Sequence, residues 1–189
     1  MIARTLLLSA ALALAPAPAA AEPAPAKSAA PEGGSAFDWE IGTWATVVKV
    51  RQNPLSGADA HWSEYRGTSV VRPLMGGRAN FVDLSVSGDA GKIEGGSLRL
   101  FNRMTGQWSL NYASAAGGEL TAPVYGGFDA AGRGLFYGQD RVDGRVILVR
   151  FIVTRASADE ARFEQAYSAD GGVTWEDNWI AADTRLPAA

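Results

Sequence analysis

From Trp44 to Arg185 the chain alternates apolar and polar residues in short runs, each ended by Gly, Pro, Asn or Asp, and no stretch keeps a 3.6-residue period over the length of a globular helix. Phe81 to Ser87 is typical, with Val82, Leu84 and Val86 on one face and Asp83, Ser85 and Ser87 on the other. A chain of many short strands joined by tight turns must hide its edges, and meandering hairpins do this by closing into a barrel. The rival is a two-sheet sandwich with a solid core; meander connectivity favours the barrel.

The sharpest hairpin signal is the last. Two strand-like runs, from Phe163 and towards Trp179, flank Asp170-Gly171-Gly172, with Trp175 and Trp179 expected on the return strand. Asp170 can bond the backbone ahead of it while the glycines take positive φ. The pattern matches one Asp box, the hairpin signature that sialidase propellers repeat, but a single copy without blade-length repeats indicates a hairpin and not a propeller.

Earlier in the chain, Phe37, Ile41 and Trp44 fall at helical spacing, which predicts one helical turn capping a barrel end before the first strand. Pro73 is expected to end the second strand, residues 88–96 to form a Gly-rich loop, and residues 119–128 to be a weak strand at a rim. The tally is about ten strands.

Met1 to Arg4, the apolar run from Thr5 to Ala15 and the small residues Ala19, Ala20 and Ala21 read as a secretory signal peptide over residues 1–21, too short to span a membrane. Residues 22–35, rich in Pro, Ala and Gly, read as a disordered linker, and residues 36–186 as a single barrel domain. Export to the periplasm or beyond is therefore expected, with no membrane insertion once the signal is removed. The whole chain has 17 basic and 20 acidic residues, a net charge of −3; cleavage before Glu22 removes only Arg4 and makes it −4. That balance argues against nucleic-acid partners. The absence of cysteine excludes disulfides, zinc–thiolate sites and cysteine nucleophiles.

His61 is the only histidine, at the start of a strand with Glu64 on the opposite face, and reads as solvent-exposed. No carboxylate cluster accompanies it, so no metal site is expected. No Gly-x-Ser-x-Gly elbow is present, and the glycine pairs do not precede helices, so neither serine catalysis nor a phosphate cradle is indicated. No catalytic residue is assigned.

Phe37-Asp38-Trp39-x-Ile41-Gly42-Thr43-Trp44, Met75-Gly76-Gly77-Arg78, Leu98-Arg99-Leu100-Phe101-Asn102-x-x-Thr105-Gly106-x-Trp108 and Glu164-Gln165-x-Tyr167-Ser168-x-Asp170-Gly171-Gly172-x-Thr174-Trp175 together resemble a family of bacterial, often exported, calycin-like (lipocalin-like) β-barrel domains of unknown function. The resemblance implies an all-β, antiparallel up-and-down barrel with one short N-terminal helical turn, and a hydrophobic pocket; it implies no reaction. The Gly42-Thr43-Trp44 opening is also similar to the Gly-x-Trp element of lipocalins and fatty-acid-binding proteins, which would make Trp44 a floor plug. A related barrel, nitrobindin, holds haem through a histidine near its C-terminus; no histidine stands there in this chain, and no cofactor is expected.

Arginines and aromatics within strands are the most informative candidates. The expected lining is Trp44, Trp62, Trp108, Tyr112, Tyr125 and Trp179, with Arg66, Arg99 or Arg150 as a polar anchor. A buried arginine needs a partner, and the head group of an anionic amphipathic ligand would supply one, as in fatty-acid-binding proteins by resemblance. The expected partner is thus a small apolar or anionic amphipathic molecule. Two other readings stand beside it: a cofactor-free isomerase or cyclase using a buried Tyr or carboxylate, and an interaction module with a filled core.

Overall fold

The structure, a computed structural model, describes residues 34–188. The expected signal peptide and nearly all of the expected linker lie outside the described residues.

Ten antiparallel strands close into one barrel: β1 (Gly42–Arg51), β2 (Trp62–Leu74), β3 (Ala79–Gly88), β4 (Gly91–Asn102), β5 (Gln107–Ser114), β6 (Val124–Phe128), β7 (Gly134–Val142), β8 (Arg145–Arg155), β9 (Glu160–Ser168) and β10 (Glu176–Arg185). Each strand pairs with its sequence neighbour, and β10 returns to pair with β1, so no edge is left open. This is the expected up-and-down barrel, and the sandwich is excluded.

One end is closed by the predicted helical turn, which is a 3₁₀ turn over Asp38–Glu40. Phe37 enters the barrel ahead of it, edge-on to Trp108 and Phe128 and stacked against Phe136. Trp44 is fully buried, and its indole N–H donates to the Glu40 carbonyl at 2.7 Å. Arg185, on the last strand, lies over the Trp44 ring at 4.1 Å and donates to the carbonyls of Ile41 and Trp39. The floor is therefore a plug of aromatics locked to the C-terminal strand. The other end is the mouth, crossed by the β1–β2, β3–β4, β5–β6, β7–β8 and β9–β10 loops.

Three expectations on strand limits need correction. β2 continues through Pro73, because beyond Val71 the strand pairs only with β3 and the missing N–H removes no bond to β1. Residues 91–96 belong to β4 and not to a loop. Here glycine serves close approach: a Cβ on Gly95 would lie 2.3 Å from the Tyr112 hydroxyl, and one on Gly96 would lie 2.2 Å from the Phe81 ring. Trp175 falls in the β9–β10 loop, while Trp179 lies on β10 as expected.

Candidate functional site

Strand alternation decides which side chains face inward. On β1 these are Trp44, Thr46, Val48 and Val50; on β4, Ser97 and Arg99; on β10, Trp179, Ala181 and Asp183. A bulge between Asp177 and Trp179 adds one residue to β10 and turns Asn178 inward as well. Between floor and mouth the strands enclose a cavity of about 470 Å³, within the size range of small-molecule sites. Its waist is apolar, formed by Val48, Val82, Leu84, Leu110, Phe151 and Phe163. Pro54 from the β1–β2 loop and Thr121 and Ala122 from the β5–β6 loop reach over the mouth. The interior is thus not filled, as the interaction-module reading required.

The polar floor of this cavity is built around Arg99. Its guanidinium, almost wholly buried, makes a two-pronged ion pair with Glu40 of the 3₁₀ turn, with Nη2 at 3.2 Å from Oε1. The same guanidinium stacks on Phe37 at 4.3 Å. Asp183 sits beside this pair on β10, opposite Thr46 of β1. The Thr46 hydroxyl bonds Asp183 and also Ser69 across β2, at 2.8 Å. Burial raises the Asp183 carboxyl to about 6, helped by the nearby Glu40 charge and opposed by Thr46 and Arg99. Oδ1 of Asp183 has no hydrogen-bond partner among the described residues.

Towards the mouth stand Tyr112, Gln165, Tyr167, Asn178 and Asp140. Burial pushes both phenols up; for Tyr167 the Asp140 charge adds to this, while hydrogen bonds from Asn178 and Gln165 oppose it. Both tyrosines are therefore neutral donors at ordinary pH and not phenolate bases. Gln165 Nε2 donates to the Tyr167 hydroxyl at 3.3 Å. Arg51 spans the rim, paired at 3.0 Å with Glu176, which also accepts the Leu55 backbone N–H at 2.7 Å. That bridge ties the β1–β2 loop to β10.

The expected ligand-binding set divides. Arg99, Tyr112 and Trp179 line the cavity. Trp44 and Trp108 belong to the packed core at the floor. Trp62 lines a separate cleft at the outer rim, with Trp175 and Tyr167. Arg66, Tyr125 and Arg150 lie on the outer face. Arg66 shares its side of β2 with Glu64 and pairs with it at 2.5 Å; Tyr125 is about half exposed; Arg150 lies between inward Val149 and Phe151 and covers Trp175 at 4.7 Å. Alternation places these three outward, so none can anchor a ligand inside. Arg99, the one of the three candidate arginines that faces the cavity, is already paired with Glu40. His61 is exposed, as expected.

Asp183 and Asn178 are not among the sequence candidates, and Glu40, which reads from the sequence as a solvated turn carboxylate beside Asp38, is instead buried. Alternation sets Asp183 on the same face of its strand as Ala181 and Trp179, a signal that parity offers. Glu40 sits in a non-strand turn and Asn178 on a bulge, where alternation carries no information.

The β9–β10 loop behaves as its motif predicts. Asp170 accepts from the Thr174 hydroxyl and backbone N–H, from the Ser168 hydroxyl and from the Val173 backbone N–H, which hold its carboxyl well below the usual range. Gly171 and Gly172 both have positive φ. In Asp170→Ala, hydrogen exchange at the Val173 and Thr174 amides is expected to accelerate by about tenfold or more while β8 and β9 stay protected. Unchanged exchange would remove Asp170 as the organiser of the loop.

No protein-family model and no curated protein matches the sequence. Among solved structures, the S-type phycobiliprotein lyase CPES from Guillardia theta is 10% identical with a TM-score of 0.56, over 81% of this chain and 92% of that one. Rv2717c from M. tuberculosis is 15% identical with a TM-score of 0.55, over 80% of this chain and 98% of that one. At these identities the likeness is one of fold, and by fold this chain is a closed ten-stranded, calycin-like β-barrel.

Proposed function

We propose that this is an exported barrel that binds one small apolar or amphipathic molecule inside, as a member of the bacterial calycin-like family its motifs resemble. The observation that carries the reading is the unfilled, apolar-waisted cavity of about 470 Å³ between a plugged floor and a loop-covered mouth. An evolved core is normally packed to near-crystal density, so an interior void of this size with polar groups at both ends is a reason to expect an occupant. Export rests on the signal-like residues 1–21 and is checked by an intact mass starting at Glu22 for protein recovered from a periplasmic fraction.

The test is uptake of N-phenyl-1-naphthylamine, a neutral fluorescent probe, read by its emission and by native mass spectrometry. One probe per chain is expected. Ala181→Phe, which adds volume at the cavity wall, is expected to weaken uptake at least about tenfold while the protein stays folded. No uptake by the unaltered protein would overturn the binding reading.

One observation favours a second reading. Asp183 is a buried carboxyl with its pKa near 6 facing an apolar cavity, the placement a cofactor-free isomerase or cyclase needs in a general acid or base. Turnover of a bound compound that is lost in Asp183→Asn while binding persists would distinguish this reading from simple carriage.

A further inference from the structure

The cavity contains a charge imbalance that specifies the kind of molecule it takes; this rests on the binding reading above. The carboxylates lining it are Glu40, Asp140 and Asp183, and the guanidiniums are Arg51 and Arg99. Glu40 takes up Arg99 at the floor, and Glu176 takes up Arg51 at the rim. Asp183 makes no ion pair of its own among the described residues and feels only the Arg99 charge that Glu40 already balances, although its side chain is buried to 6% exposure and its Oδ1 is unpartnered. Asn178, on the same strand nearer the mouth and 7% exposed, has a second unpartnered acceptor, its Oδ1. Buried acceptors without donors are costly, and a ligand that donates to them recovers that cost.

The opposite polarity fits less well. Arg99 Nε is a buried donor without a partner, but the guanidinium charge is already balanced by Glu40. A ligand carboxylate brought to the floor would lie beside Glu40 and Asp183 and would have to compete for that one cation. Other neighbours of Asp183 are uncharged: β1 and β2 present the Thr46 and Ser69 hydroxyls.

We propose that the barrel selects amphipathic molecules whose polar end is a cationic or strongly donating group, an amine or amidine type, and seats that group on Asp183 with the apolar part along the Val48–Phe163 waist. The cation supplies the missing countercharge, and the low-polarity wall strengthens the pairing.

The experiment compares decylamine, decanol and decanoic acid, equal in chain length, as displacers of N-phenyl-1-naphthylamine from the full chain stripped of bound lipid. At pH 8 Asp183 is ionised, being above its value near 6, and decylamine is a cation. Decylamine is expected to bind at least about tenfold more tightly than decanoic acid, with decanol between, as a charge-assisted hydrogen bond implies. Asp183→Asn is expected to shrink the amine-over-acid preference to within about threefold. The comparison in the unaltered protein stands even should the variant fail to fold. Equal binding of all three, or tighter binding of the acid, overturns the donor-head proposal and leaves a binding barrel. A preference unchanged in folded Asp183→Asn overturns the assignment to Asp183. Failure of the probe and all three compounds to bind overturns the binding reading and this proposal with it.

Discussion

Arg99→Met is expected to lower stability by about 3–5 kcal/mol, the usual result of removing one partner from a buried ion pair. The variant leaves Glu40 buried without its cation and with Asp183 as a neighbour. It also removes the guanidinium from the face of Phe37, which plugs the floor against Trp108, Phe128 and Phe136. The deficit should be smaller at pH 5 than at pH 8, because Asp183 is protonated there and no longer repels the stranded Glu40 carboxylate. Glu40→Met with Arg99→Met is expected to recover most of the loss, since an apolar pair of similar volume needs no countercharge. Urea unfolding at both pH values measures each term. A loss below about 1 kcal/mol for Arg99→Met would mean that the pair is solvated and does not hold the 3₁₀ turn in the barrel.

The same pair explains how far the sequence could be read. Strand parity is a local property, and it sets Val82, Leu84 and Val86 on the inward face, as the structure has them. Applied to the arginines it fails: Arg99 stands between Leu98 and Leu100 much as Arg150 stands between Val149 and Phe151, and only the cross-strand register, which sets Arg99 opposite inward Leu110, separates them. What parity cannot supply is a contact across the barrel. Glu40 and Arg99 are 59 residues apart and meet only because the N-terminal turn folds into the closed end. The glycines misled for a related reason: Gly95 and Gly96 read as a loop, but they sit within β4 to admit Tyr112 and Phe81 from neighbouring strands. Asn178 was hidden by a bulge, which breaks the alternation that sequence reading depends on.

Asp183→Asn is expected to stabilise the protein at pH 8 by about 3 kcal/mol, and to have no effect near pH 3.5. The carboxyl is moved from an ordinary value of 3.8 to about 6, first by burial and then by the Glu40 charge, so folding makes ionisation harder. Between those values the folded state binds more protons at this site than the unfolded state. Its contribution to stability is therefore fully present below the unfolded value, falls as pH rises, and is lost once pH exceeds about 6. Most carboxylates, and Asp170 with its depressed value, have the opposite sign, so the difference between variant and parent isolates the Asp183 term. That difference should grow from near zero at pH 3.5 to a plateau above pH 7, measured by urea unfolding across the range. A flat difference would place Asp183 in solvent contact. The plateau also ties stability to binding, because a protein that keeps an unpaired, costly carboxylate in its interior is less stable empty than it need be. A cationic ligand seated there would raise Tm most at high pH, where the carboxylate is fully charged, and least below pH 5.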